Sequence, residues 1–278
     1  EFRIPIVAAD PTRLPPVGPS ATPIKGRTEL PRALTLDDIG RIRRDYIHAA
    51  KLAIEVSNFD CVEIHGAHGY LLDQFLNDQV NVRTDAYGGS LENRARLMME
   101  VVDDLIDAVG RERVAIRISP HTAVTLKFNG VDDSDPEPLY EHVIRELDRR
   151  QLLYMLLTEP RWRGGQKDDI ERDAGMQMPL TFAPKFKPMF SRPLIGAGGF
   201  TPNNAKAAIE AGHVDLVAFG RWFIANPDIV ERLRSGAPLN RYDRPTFYAQ
   251  PFADRRIGHA VNPLMRAPLG RHRTAEQA

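Results

Sequence analysis

The chain has 278 residues, in which 37 lysines and arginines balance 37 aspartates and glutamates. That length accommodates one large α/β core, and the zero balance leaves no global field to attract nucleic acid or an anionic membrane surface. The single cysteine, Cys61, excludes an intrachain disulfide framework and points to a reducing, cytoplasmic compartment; no apolar run reaches membrane-span length, and the N-terminus lacks a secretory pattern.

Residues 1–34 carry Pro11, Pro15, Pro16, Pro19, Pro23 and Pro31 without a clear period, which predicts an ordered loop or short hairpin over one end of a core. Thr35 then caps a helix, with Asp38 as its capping-box partner and Leu36, Ile39, Ile42, Tyr46, Ala49, Ala50 and Ala53 as the apolar stripe. The run Phe59–Ile64 reads as a buried strand, with Cys61 packed inside it as a small apolar residue. A second helix is capped by Ser90 and carries Leu91, Ala95, Met98, Val102, Leu105 and Val109 on one face.

Strands are predicted at Val114–Ile118, Leu152–Leu157, Pro193–Ile195 and Leu216–Phe219. Between and after them, helices open at Pro136, at Thr201-Pro202 (closed by Gly212) and at Asn226-Pro227 (ending near Gly236). Repeated strand–helix units with apolar strands imply a parallel sheet covered by helices. The chemistry-bearing residues follow the strands, at the rim where a barrel or a doubly wound sheet places its site. The pattern does not choose between those two, and five good strands are too few for a closed eight-stranded barrel.

His65-Gly-Ala-His68-Gly-Tyr70 carries the most chemical information. Two imidazoles and a phenol emerge together past a strand end: imidazoles can hold a developing oxyanion and a phenol can deliver a proton. This grouping points to chemistry on a polarised carbonyl compound. His-x-x-His also brings two imidazoles near one another for a metal, but no third ligand follows at a recognisable spacing. Asp73 and Glu63 are candidates to orient the rings.

Arg117 interrupts an apolar strand and needs a partner, either a carboxylate such as Glu63 or Glu159 or a ligand. Gly198-Gly199 and Gly220-Arg221 follow consecutive strands. Each alone is an ordinary turn; as a pair they point to a phosphate site, because glycine exposes backbone N–H groups and arginine offers a fixed fork. The polar run of Arg83, Asp85, Tyr87, Ser90 and Asn93 is explained mostly by local capping and ion pairing, and His121, Trp162 and Arg163 follow other strand ends as candidate pocket walls.

FDCVEIHGAHGYLLDQFLND (59–78), NVRTDAYGGSLENRARL (81–97), AIRISP (115–120), GAGGF (196–200), FGRWFIANPD (219–228) and LNRYDRPTFY (239–248) together resemble the old yellow enzyme family of flavin-dependent ene-reductases, which includes the oxophytodienoate reductases. The resemblance implies a TIM barrel holding FMN non-covalently, with NADPH or NADH as reductant and an α,β-unsaturated carbonyl compound as acceptor. Carried over by motif, His65 and His68 bind the substrate carbonyl oxygen and Tyr70 protonates the α-carbon. Arg117 lies against the flavin pyrimidine edge, Gly198, Gly199, Gly220 and Arg221 hold the phosphate, and Phe247 and Tyr248 lie near the dimethylbenzene edge.

In that family the His-Gly-Ala-His segment follows the fourth strand, so the resemblance implies an incomplete barrel containing strands four to eight. The expected organisation is a partial barrel domain over 1–248, led in by the Pro-rich 1–34, and an atypical basic extension over 249–278. An open barrel exposes sheet edges, which an oligomer or a separate barrel-completing chain would cover. Two other functional readings stay open beside the ene-reductase: a catalytically impaired homologue acting as an interaction partner, and a flavin-dependent isomerase.

Overall fold

The structure, a computed structural model, describes residues 16–23, 30–120, 131, 133–161, 180–242 and 247. Two short strands, β1 (Val17–Gly18) and β2 (Arg32–Ala33), pair in parallel, with the Arg32 N–H donating to Pro16 O and the Leu34 N–H to Gly18 O. A hairpin would be antiparallel, so that part of the expectation for 1–34 is corrected. Arg83 ties this lead-in to the body by donating to both Pro19 O and Leu34 O while paired with Asp85.

Helix α1 (Leu36–Lys51) starts at the Thr35–Asp38 capping box and runs on through a π-helical turn, Leu52–Val56. Ile39, Ile42 and Ala50 of its stripe are buried, whereas Leu36 and Ala49 are exposed. Strand β3 (Val62–Gly66) leads into helices α2 (Leu71–Leu76) and α3 (Leu91–Val109). The Ser90 hydroxyl caps α3 by accepting from the Asn93 N–H. Cys61 lies just before β3 and is half-buried, not inside the strand.

The chain continues through β4 (Val114–Ile118), α4 (Pro136–Arg150), β5 (Met155–Thr158), the short α5 (Ala183–Phe186) and β6 (Leu194–Ala197). Then follow α6 (Pro202–Glu210), capped by Thr201, and β7 (Leu216–Val217). Last come α7 (Arg221–Ala225), a helix where only a turn was expected, and α8 (Ile229–Ser235). Asn226-Pro227 stands two residues ahead of α8, Asn226 O accepting the Ile229 N–H.

Strands β3 to β7 form one parallel sheet in sequential order, β3-β4-β5-β6-β7. A doubly wound sheet reverses its strand order at a switch point. No reversal occurs among these strands, so the choice that periodicity left open falls to an arc of an α/β barrel. The register aligns Glu63 with Ala115, His65 with Arg117, Arg117 with Leu156 and Thr158 with Ala197, placing all of these on one face. On the other face Ile64, Ile116, Ile118, Met155, Leu157 and Leu194 are each at most 3% exposed.

Gly66 and Gly196 belong to that covered face, and a Cβ on either meets Met98 or Phe200 and Val214 below 3 Å. Helix α3 therefore sits close on the sheet at Gly66. On the opposite, inner face Glu63 and His65 are exposed and Leu216 is 54% exposed. The fully buried strand expected at 59–64 is thus corrected to one with alternating burial: its inner residues face an arc that does not close. Among the described residues, no helix is long and apolar enough to cross a membrane.

Candidate active site

Parallel strands deliver their C-terminal ends to one rim, and the residues singled out in the sequence sit there. The His65 and His68 ring centroids are 5.3 Å apart and nearly perpendicular, and His65 lies 5.0 Å from the Tyr70 ring. Tyr70 is the residue preceding α2 and is 52% exposed, so its phenol stands open at the mouth of the arc.

The turn that brings the three rings together is held by its backbone. His68 has φ 60° and Gly69 φ 71°, the left-handed region that is uncommon for a residue with a side chain. Two anchors impose it: the Ser119 Oγ accepts the His68 N–H at 2.7 Å, and the Asp73 Oδ2 accepts the Gly69 N–H at 2.7 Å. Asp73 is itself buried and accepts from the Tyr140 hydroxyl and from Asn77. Asp73 thus shapes the turn through its backbone, and Ser119 is an anchor that sequence reasoning missed.

Arg117 lies on β4 in register with His65. Its Nε donates to the Thr158 Oγ1 at 3.1 Å, and the His68 Nε2 lies 3.1 Å from the same oxygen. Burial lowers the Arg117 pKa, and Glu63 opposes that shift through its charge. Glu159 is no partner for Arg117. It is fully buried and spends its carboxylate on the N–H groups of Thr181, Phe182 and Ala183.

Burial, then the charges of Arg117 and His65, pushes His68 down to about 3; His65 is lowered by burial and by Arg117. Both rings are therefore neutral hydrogen-bonding groups at physiological pH. The sign for stability follows. The unfolded chain takes up a proton at His68 near 6.5 that the folded chain refuses, so stability is full above that pH and falls as pH drops from 6.5 towards about 3. The His68 ring resonances in an NMR titration are expected to stay flat between about pH 5 and 8; a midpoint near 6.5 would contradict the burial and charge described here.

At the far end of the arc, β6 runs into Gly198 (φ 91°) and Gly199 (φ 66°) and then into the Thr201-capped α6. The Arg161 Nε donates to Gly198 O at 3.1 Å, and its guanidinium lies 4.1 Å over the Phe200 ring. Beyond β7, a Cβ added at Gly220 meets nothing within 4 Å, so that backbone is open to a ligand. The Arg221 Nη1 donates to the Tyr242 hydroxyl at 2.8 Å. Phe247 is buried against Tyr242, in a small cluster beside Arg221. Tyr248, His121, Trp162, Arg163 and the extension 249–278 lie outside the described residues.

Two glycine turns on adjacent strand ends, with guanidiniums at Arg161 and Arg221, form a donor set that suits a phosphate. Arg117 on the same inner face suits an electron-rich ring that takes on negative charge. Among the described residues, no group of three or more His, Cys, Asp or Glu is placed to hold a metal ion.

Comparison with known proteins shows the family. The profile of the NADH:flavin oxidoreductase / NADH oxidase family matches residues 8–240. The chain is 42% identical over 235 residues to 12-oxophytodienoate reductase 2 of Arabidopsis thaliana, covering 84% of this chain and 59% of that protein. Among solved structures, morphinone reductase in complex with tetrahydroNAD superposes with a TM-score of 0.72 at 39% identity, over 83% of this chain and 62% of that one. The old yellow enzyme homologue from Zymomonas mobilis superposes with a TM-score of 0.70 at 33% identity, over 82% and 63%.

The chain spans about three fifths of the length of the plant relatives it matches. Its described residues include five adjacent strands of the α/β barrel. The chain belongs to the NADH:flavin oxidoreductase / NADH oxidase family, the old yellow enzymes, whose cofactors are FMN and a nicotinamide nucleotide.

Proposed function

We propose that this protein reduces the activated C=C bond of α,β-unsaturated carbonyl compounds, using FMN and either NADPH or NADH. The observation that carries this reading is the convergence of His65, His68 and Tyr70 at one rim, with ring centroids within 5.3 Å, beside the inner-face Arg117. When bound, FMN would supply hydride chemistry, with the nicotinamide nucleotide as its reductant.

The chain's own residues do the rest. His65 and His68, both neutral, donate hydrogen bonds to the carbonyl oxygen and draw electron density out of the alkene. Tyr70, open to the mouth, passes its phenolic proton to the α-carbon. Arg117 would hold the pyrimidine edge of the flavin, and Gly198, Gly199, Gly220 and Arg221 would hold its phosphate. Phe247 would border its dimethylbenzene edge. The exposed inner face, with His65 and Leu216 open to solvent, is covered in the working protein by further barrel strands or by a second copy.

The test is a purified protein supplied with FMN and assayed anaerobically in two steps. NADPH or NADH should bleach the flavin band, and 2-cyclohexenone should restore it with the saturated ketone as product. A bound flavin that NAD(P)H reduces but that no enone or enal reoxidises would overturn this reading.

A further inference from the structure

Thr158 closes β5 on the inner face, 6% exposed, between two residues with proposed roles on either side of it. A guanidinium only donates, so the contact from the Arg117 Nε at 3.1 Å makes the Thr158 Oγ1 an acceptor. That leaves the hydroxyl hydrogen to be placed. Among the described residues the remaining neighbour of Oγ1 is the His68 Nε2, at 3.1 Å. A hydrogen directed there meets a lone pair only if Nε2 is unprotonated. The burial that keeps His68 neutral is consistent with that arrangement.

We propose that Thr158 is a positioning residue: its hydroxyl, oriented by Arg117, donates to the His68 Nε2, so that the imidazole carries its proton on Nδ1 and offers that N–H to the substrate oxygen. Among the described residues, this tautomer is the one that gives the Thr158 hydroxyl hydrogen an acceptor. The delivery of Nδ1–H to a substrate oxygen rests on the reading of His68 given under Proposed function. Through one hydroxyl, the arginine placed at the flavin edge fixes the polarity of a substrate-binding ring. The spacing of Thr158 from His68 and Arg117 along the chain, 90 and 41 residues, hides this link from motif inspection.

The test uses the full chain with FMN added and its histidines labelled with ¹⁵N. Long-range ¹H–¹⁵N spectra then report which nitrogen of His68 is protonated, with a His68→Asn variant assigning the signals. The wild type and Thr158→Ser should show the Nδ1–H form. Thr158→Val, which keeps the shape and deletes the hydroxyl, should shift at least half of the population to Nε2–H. Enone-dependent flavin reoxidation should slow roughly five- to tenfold in Thr158→Val, the scale of one lost neutral hydrogen bond.

A wild-type His68 protonated at Nε2 overturns the proposal whether or not the valine variant folds, and so does a Thr158→Val spectrum identical to the wild type. An Nδ1–H wild type that reduces no enone supports the tautomer assignment and overturns the ene-reductase reading instead. The two failures are thereby distinguishable.

Discussion

Replacing Tyr70 with Phe is expected to slow enone-dependent reoxidation of the reduced flavin by roughly 10²-fold or more, the scale of a lost general acid, while leaving flavin reduction by NADPH within about twofold of the wild type. The ring stays, so its contact with His65 at 5.0 Å survives and only the phenolic O–H is removed. Tyr70 is 52% exposed, so the change leaves no buried polar partner orphaned and stability should move little. Stopped-flow measurement of the two half-reactions separates the effects. Equal rates for Tyr70→Phe and wild type in the oxidative half-reaction would remove Tyr70 from the proton-donor role.

The second large effect is expected at the glycine turn. At Gly198, φ is 91° and an added Cβ falls 2.4 Å from the Glu159 carbonyl oxygen. That carbonyl cannot retreat easily. The Glu159 N–H is bonded to Ala197 O, and the Glu159 carboxylate is fixed by three backbone N–H groups at the start of α5. Gly198→Ala must therefore displace the turn, with about 1–3 kcal/mol of strain and an FMN affinity lowered at least tenfold. Gly236→Ala is the control, since Gly236 has a similar φ of 69° but nothing within 4 Å of its Cβ position. It should lose about 1 kcal/mol and keep its FMN affinity. Fluorescence titration with FMN and urea unfolding of both variants measure this. Unchanged FMN affinity in Gly198→Ala would dissociate the turn from the phosphate.

Local chemistry made much of this fold legible. The caps at Thr35, Ser90 and Thr201 each reach only three residues along the chain, and all three form. The strand Val114–Ile118 was readable as a run of apolar residues because both of its faces are largely covered. Strand β3 misleads by the same rule. Its Glu63 and His65 face an arc that does not close, so burial alternates where a run was expected. The parallel pairing of Val17–Gly18 with Arg32–Ala33 depends on distant anchors such as Arg83 and carries no local signal.

The site divides in the same way. His65, His68, Tyr70, Arg117 and the glycine turns stood out because polar or glycine residues at strand ends are conspicuous against apolar strands. Thr158 and Ser119 did not, since a small hydroxyl after a strand reads as punctuation. Their importance comes from what the sheet register sets beside them: Ser119 supports the His68 N–H and Thr158 the His68 ring. Arg161 was hidden for a similar reason, its guanidinium folding back over Phe200 and onto Gly198 O.

The central claim is spatial: a single rim of the arc holds one flavin between the imidazole–phenol group and the two glycine turns. A crystal structure of the protein grown with FMN tests it most directly. The phosphate is expected on the Gly198-Gly199 and Gly220-Arg221 turns and the ring system beside Arg117, with His65, His68 and Tyr70 facing one side of it. A flavin bound elsewhere, or one whose ring lies away from Arg117 and Tyr70, would contradict it.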